Sequence, residues 1–287
     1  MLTPYKENLC SKYATKMLSI KINNGCNCNC SFCVDRGGFK PESINVVKIA
    51  ESAIKQEEYK TVIITGGEPF LVFDKVIELC KILRPHKNRI VLNTNGSLLT
   101  TNKVAILNSL IDELQISIHS PNPVEEMEIF KKEITYYSLK QALREHKFLV
   151  SINSCFTRAI SDKKHFVSDM IDLCNYLNAD RLRLTELKKV DEDEFISAAE
   201  FFNADHHVLS FSSNELITKG CTSYFESKGI KVSVKRLCEF AKGAHSKNFS
   251  CCFIDTMGQK KIDVDTEDTF KVIYSNGMTT NDWIFKD

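Results

Sequence analysis

The chain has 287 residues, 43% of them apolar, with 38 Lys plus Arg set against 37 Asp plus Glu. That length suits one large domain, or one domain plus a small extension, and the even charge excludes a global pull toward nucleic acid or an acidic membrane surface. It has no run of about 18 apolar residues that would span a bilayer, and the polar start MLTPYKENLCSKYATK lacks a signal-peptide core, so a cytoplasmic protein with reduced thiols is expected.

From residue 17 to about 187, short apolar runs alternate with segments of helical spacing. MLSIKI (17–22) reads as a strand and VVKIAESAIKQ (46–56) as a helix. TVIIT (61–65) is β-branched and reads as a buried strand. DKVIELCKIL (74–83) is a helix with Asp74 as N-cap or first-turn acid. RIVLNT (89–94) is a strand, NKVAILNSLI (102–111) a helix and ELQISIH (113–119) a strand. Residues 124–145 are mostly helical, KFLVSIN (147–153) is a strand, 162–178 a helix, and RLRLTEL (181–187) closes the series. Strands alternating with helices imply parallel pairing and right-handed crossovers. Periodicity leaves two folds open, a β/α barrel and a doubly wound sheet. Beyond residue 190 the pattern changes to one helix (191–204) followed by short strands at 208–211, 229–237, 260–264 and 270–274. The expected division is an N-terminal segment 1–16, a core 17–190 and a small α+β extension 191–287.

Twelve cysteines are many for a reducing compartment, where clustered thiolates more often hold a metal or an iron–sulfur cluster than a disulfide framework. GCNCNCSFC (25–33) follows the first strand directly. Cys26, Cys30 and Cys33 have the spacing C-x3-C-x2-C, with Phe32 before the last. Three thiolates on one loop can hold three irons of a four-iron cubane and leave the fourth open to a ligand. With Cys28 the loop has four thiols, which can also bind zinc tetrahedrally, although one-residue spacings strain such a chelate. Cys28 reads as a bystander.

This loop, its aromatic residue and its place after strand one resemble the radical S-adenosylmethionine (radical SAM) superfamily. The resemblance implies a partial (β/α)6 TIM-type barrel and a [4Fe–4S] cluster on Cys26, Cys30 and Cys33, with SAM chelating the open iron. In that family the reduced cluster cleaves SAM, and a 5′-deoxyadenosyl radical takes hydrogen from the substrate. An electron donor such as flavodoxin or ferredoxin is implied as a partner. The family's GGEP motif is matched by Gly66, Gly67, Glu68 and Pro69 after the second strand, with Glu68 implied as partner of SAM's amino group. NTNG (93–96) is similar to the family's TNG turn and brings in Asn95. By position, Ser117 and His119 on strand four would meet the SAM ribose, and Ser151, Asn153 and Arg158 on strand five its carboxylate or the substrate. Leu184 on strand six would offer backbone to the adenine. These residues are read at the C-terminal strand ends, where β/α folds bind ligands; the alternative for His119 and Glu186 is an ordinary loop residue.

Cys221, Cys238, Cys251 and Cys252 are candidates for a second iron–sulfur cluster, as in SPASM or twitch extensions. The usual C-x2-C pairs are missing, and buried free cysteines are the alternative. Lys235, Arg236, Lys242 and Lys247 either meet an anionic substrate or form a solvated face. The substrate expected is a small molecule rather than a peptide, because only about 20 residues precede the cysteine loop. A peptide-modifying maturase is the second reading, and a zinc-stabilised binding module without catalysis is the reading from another class.

Overall fold

A computed structural model describes residues 17–33, 43–157, 165–186, 217–219, 222–235, 251–255, 258–262 and 270–280. All six expected strands of the alternating series are present: β1 (Met17–Lys21), β2 (Thr61–Thr65), β3 (Arg89–Thr94), β4 (Glu113–Ser117), β5 (Leu149–Phe156) and β6 (Arg181–Glu186). Between them lie α1 (Val46–Ile54), α2 (Phe73–Leu83), α3 (Thr101–Leu107), α4 (Pro123–Phe130), α5 (Tyr136–Ala142) and α6 (Phe166–Leu177).

Local chemistry sets these boundaries. The Asn45 side chain accepts from the Lys48 amide at 3.0 Å and caps α1. Asp74 is a first-turn acid of α2 rather than its cap, which is Val72. The segment 124–145 is not one helix: α4 ends at Lys131, which adopts a left-handed conformation with φ 54°, and α5 starts after Thr135. Pro123 opens α4, where its missing N–H costs nothing, and Asn122 caps it.

Strands β1 to β6 pair in order and in parallel. Five of the described strands after residue 190 join the same sheet, at both edges. On one side β9 (Ile230–Lys235) runs parallel to β6 and carries β8 (Thr222–Ser227) and β7 (Ile217–Lys219) antiparallel. On the other, β12 (Phe270–Tyr274) runs parallel to β1 and carries β13 (Thr279–Thr280). A separate hairpin joins β10 (Cys251–Asp255) to β11 (Gly258–Ile262). Eight adjacent strands are therefore parallel, and the sheet stays open. This is the expected partial barrel, with one more parallel strand at each edge.

The sheet has two unlike faces. Leu18, Ile20, Val62, Ile64, Ile90, Leu92, Leu114, Ile116, Val150, Ile152, Leu182 and Leu184 face outward, where they form one core with helix residues such as Ile49, Leu79, Leu107, Leu139 and Met170. The alternate residues face the concave interior and are mostly polar: Ser19 and Lys21, Asn93, Glu113 and Gln115, Ser151 and Asn153, Arg181 and Arg183. Among the described residues no helix is long and apolar enough to cross a membrane.

Candidate active site

The cysteine loop is fastened to the turn after β2. The Gly67 amide donates to Asn23 O at 2.9 Å, and the Glu68 amide to Gly25 O at 2.6 Å. The Asn23 side-chain amide donates to Gly25 O at 3.1 Å and to Glu68 O at 3.0 Å. The two backbones lie so close that a Cβ on Gly67 would sit 2.0 Å from Gly25 O, and one on Gly66 would sit 2.4 Å from Asn23 Oδ1. That explains why both positions are glycine: no side chain fits between the turn and the loop.

Beyond Gly25 the loop opens. Cys26 and Cys33 are exposed, and Cys28 and Cys30 half-buried. The loop is held on its far side by the Asn29 amide, which donates to Phe130 O at the end of α4, 2.9 Å away. The TNG turn meets the loop from β3: the Asn95 side-chain amide donates to Asn27 Oδ1 at 2.8 Å and approaches Cys28 Sγ at 3.2 Å and Cys26 Sγ at 3.8 Å. Hydrogen bonding from Cys28 lowers the Cys26 thiol to about 6, against the effect of burial. Burial pushes Cys30 up to about 12.

Three thiols on one loop are a donor set that fits an iron–sulfur cluster. Among the described residues no three Cys, His, Asp or Glu side chains gather closely enough to grip one metal ion. A cubane asks for something else, because each cysteine binds a different iron and the sulfurs stay apart. Cys26, Cys30 and Cys33 are free thiols on one loop, with Cys26 and Cys33 exposed, and such thiols are the ligands a cubane takes.

Glu68 departs from expectation. It is 1% exposed, and Oε1 accepts from the Phe70 amide at 2.9 Å and from the Thr94 hydroxyl at 2.7 Å, while Oε2 accepts from the Asn95 amide at 2.7 Å. Its carboxyl ties the β2 turn to the end of β3 and does not present itself to an ammonium group. Burial raises it to about 7, partly offset by those donors. Pro69 opens the short 3-10 turn Pro69–Val72 beside it and is buried.

His119 follows β4 and is buried beneath the loop. Its ring meets Phe32 edge-on with centroids 4.9 Å apart, and Phe130 at 5.2 Å. Nδ1 accepts from the Cys155 amide at 3.0 Å, which places the ring proton on Nε2. Burial depresses its pKa to about 4, so the ring is neutral. Its own amide, with that of Ser120, donates to the Glu126 carboxyl at 2.7–3.0 Å. Glu126 is fully buried, and burial raises it to about 8 despite those bonds.

Deeper in the barrel, Glu113 organises the interior. It accepts from Ser151 Oγ at 2.6 Å and from Gln115 Nε2 at 2.9 Å, and it pairs with Arg89 and, at 3.6 Å, with Arg181. Burial works against its charge, but the hydrogen bonds win and its pKa is lowered. Ser151 therefore belongs to this network. It lies near the start of β5, which runs on to Phe156, and not at the mouth. Asn153 is one inward step higher, paired in register with Ser117 and Arg183. Its Nδ2 donates to Gln115 Oε1 at 3.0 Å, while its Oδ1 and that of Asn93 are buried with no hydrogen-bond partner among the described residues. The Leu184 side chain is fully buried on the outer face, and its backbone lies between Ser154 of β5 and Val234 of β9.

The structure thus brings together Cys26, Cys30, Cys33, Phe32, Gly66, Gly67 and Asn95, with His119 beneath them, and places Ser117 and Asn153 on the interior wall. Arg158, Cys221 and Cys238 lie outside the described residues, as do the side chains of Cys251 and Cys252 on β10. Asn27, Glu113, Glu126 and Arg183 were not singled out from the sequence. For Glu113 and Arg183 a signal existed, since charged residues alternate with Leu in ELQIS and RLRLTE. Glu126 carried none, because an acid in a helix's first turn usually faces solvent.

Comparison with known proteins shows the family and the fold. A GTP 3',8-cyclase from Aquifex aeolicus is 24% identical over 91% of this chain and 89% of its own length. The crystal structure of Streptococcus suis SuiB bound to S-adenosylmethionine superposes with a TM-score of 0.67 at 17% identity, over 95% of this chain. SuiB bound to precursor peptide SuiA gives 0.66 over 92% of this chain, at 17% identity. This chain spans about six-tenths of SuiB, 62% and 58% in the two structures. The family model described as "Radical SAM superfamily" matches residues 20–177, more than half of the sequence. The protein belongs to the radical SAM superfamily, and it is an enzyme whose cofactors are S-adenosylmethionine and a [4Fe–4S] cluster.

Proposed function

We propose that this enzyme abstracts hydrogen from a small molecule in a biosynthetic reaction, with residues 17–190 as the catalytic core and 191–287 as an extension. Cys26, Cys30 and Cys33 would hold the cluster, and Phe32, Asn95, Ser117, His119 and Asn153 would line the SAM pocket. When bound, cluster and SAM supply a hydrogen-abstracting 5′-deoxyadenosyl group. The protein's part is position and exclusion of water. Gly66 and Gly67 let the cysteine loop close on the β2 turn, and Glu68 locks that turn to β3. Neutral His119, held by the Cys155 amide, offers an Nε2 proton as donor without adding charge beside the thiolates.

The observation that supports this reading is the close backbone approach of the cysteine loop and the GGEP turn, where the Gly67 amide donates to Asn23 O at 2.9 Å and a side chain on Gly67 would collide with Gly25 O. Support for a small molecule comes from the GTP 3',8-cyclase relative, which aligns over 91% of this chain, and from the polar interior. A peptide substrate is the second reading, favoured by the match to SuiB over 95% of this chain. The test is anaerobic reconstitution with iron and sulfide, followed by reduction with SAM. About four irons, and 5′-deoxyadenosine formed and lost on Cys30→Ala, are expected. A colourless protein holding zinc with intact SAM would overturn the proposal. In the same assay, hydrogen transfer from deuterated peptides rather than from small molecules would favour the second reading.

A further inference from the structure

The interior charge is at odds with the neutral whole. Three guanidiniums, Arg89, Arg181 and Arg183, gather around the Glu113 carboxylate on the concave face. Arg89 and Arg181 both pair with that carboxylate. Arg183 does not: among the described residues its guanidinium makes no hydrogen bond, and its electrostatic neighbours are Glu113, Arg181, Tyr224 and Arg89. Burial works against its charge and lowers its pKa. A half-buried cation without a hydrogen-bonded counter-charge is open to one supplied by a ligand.

Its surroundings suit a ligand. Arg183 pairs in register with Asn153, whose buried Oδ1 has no hydrogen-bond partner among the described residues, and Asn93 Oδ1 on β3 is the same. Buried acceptors left open are rare in folded proteins and point to a missing donor. The next inward step toward the mouth is the Thr185–Cys155 pair, and the Cys155 amide holds His119. Arg183 therefore lies about 7 Å below the His119 level, two residues along a strand. An anion fixed there would leave the rest of its molecule reaching up toward the SAM pocket.

We propose that Arg183 binds the phosphate of a phosphorylated small-molecule substrate, with Asn93 and Asn153 accepting from its hydroxyl or amino groups. This deepens the reading above and rests on it for the place of the reaction. Charge selects phosphate over carboxylate. Lys231 and Glu226, opposite each other on the same face, offset one another, and three guanidiniums less the Glu113 carboxylate leave two positive charges among these four groups. A single carboxylate neutralises one, whereas a phosphate dianion neutralises both and matches the guanidinium fork.

The test is equilibrium binding of inorganic pyrophosphate to the reconstituted protein at fixed ionic strength, with citrate as the carboxylate control and SAM binding measured alongside. Saturable pyrophosphate binding is expected, weakened about tenfold or more in Arg183→Gln, with SAM affinity kept within about twofold. Arg183→Lys keeps the charge but not the fork, and should bind at least about threefold more weakly than wild type. This second variant carries the test if Arg183→Gln fails to fold. Absence of saturable pyrophosphate binding, tighter binding of citrate, or equal affinity in the Lys variant would overturn the proposal. A loss confined to SAM would overturn it too, assigning Arg183 to the SAM carboxylate and leaving the radical SAM reading intact.

Discussion

The outer and inner faces of the parallel sheet are built from the same strands and do opposite work. On β6, Leu182 and Leu184 point outward and are fully buried against helices, while Arg181 and Arg183 point inward. On β4, Leu114 and Ile116 oppose Glu113 and Gln115 in the same way. Parallel sheets covered on both faces usually read as continuous apolar runs. The alternation here, broken at Ile63 and Val91, means that most of the apolar residues serve one face and the other is largely polar. Stability should therefore be concentrated on one face and activity on the other.

The most severe break of that contrast is on the outer face. Leu182→Ala should cost about 2–5 kcal/mol in urea unfolding, because a fully buried side chain leaves a cavity between sheet and helices. Asn153→Ala, on the same sheet, should stay within about 1 kcal/mol of wild type, since it gives up one side-chain bond to Gln115, but should suppress product formation. Equal loss of stability in both variants would mean that the interior is structural after all.

Two glycines sharpen the contrast between site and scaffold. Gly67→Ala drives a methyl into Gly25 O and should displace the cysteine loop, lowering bound iron well below wild type with about 1–3 kcal/mol of destabilisation. Gly229, in the turn between β8 and β9, has φ +79° and nothing within 4 Å of a built Cβ. Gly229→Ala should cost about 1–2 kcal/mol of backbone strain and leave the iron content unchanged. Iron analysis of the two variants, reconstituted side by side, separates the effects.

Much of this was legible in the sequence. Alternation of strand and helix located all six core strands, because each has a β-branched or Leu-rich outer stripe. The cysteine loop and glycine turn were legible because their residue types follow directly from what they do. Three things were not. The strand 230–235 is a plain alternating run and 270–274 a short apolar one, and nothing local tells which sheet edge they join. Glu68 looked like a ligand-facing acid, since the sequence cannot show that Thr94 and the Asn95 amide already occupy its carboxyl. Ser151 looked like a strand end because Asn153 and Ser154 resemble turn residues, whereas β5 continues to Phe156.

The smallest expected effect concerns the scaffold under His119. Glu126 is buried beneath two backbone amides, and burial holds its pKa near 8. In the unfolded chain the same carboxyl ionises near about 4.3. Between those values the unfolded state releases a proton that the folded state keeps, so rising pH favours unfolding, and the slope levels off above about 8. Glu68, held near 7, contributes in the same direction. Glu126→Gln removes one of the two contributions while its amide oxygen can still accept from the His119 and Ser120 amides. The variant's melting temperature should therefore fall less than that of wild type between pH 5 and 8. Parallel melting curves for the two proteins would show that Glu126 is already ionised in the fold, its charge carried by the amides of His119 and Ser120 in spite of burial.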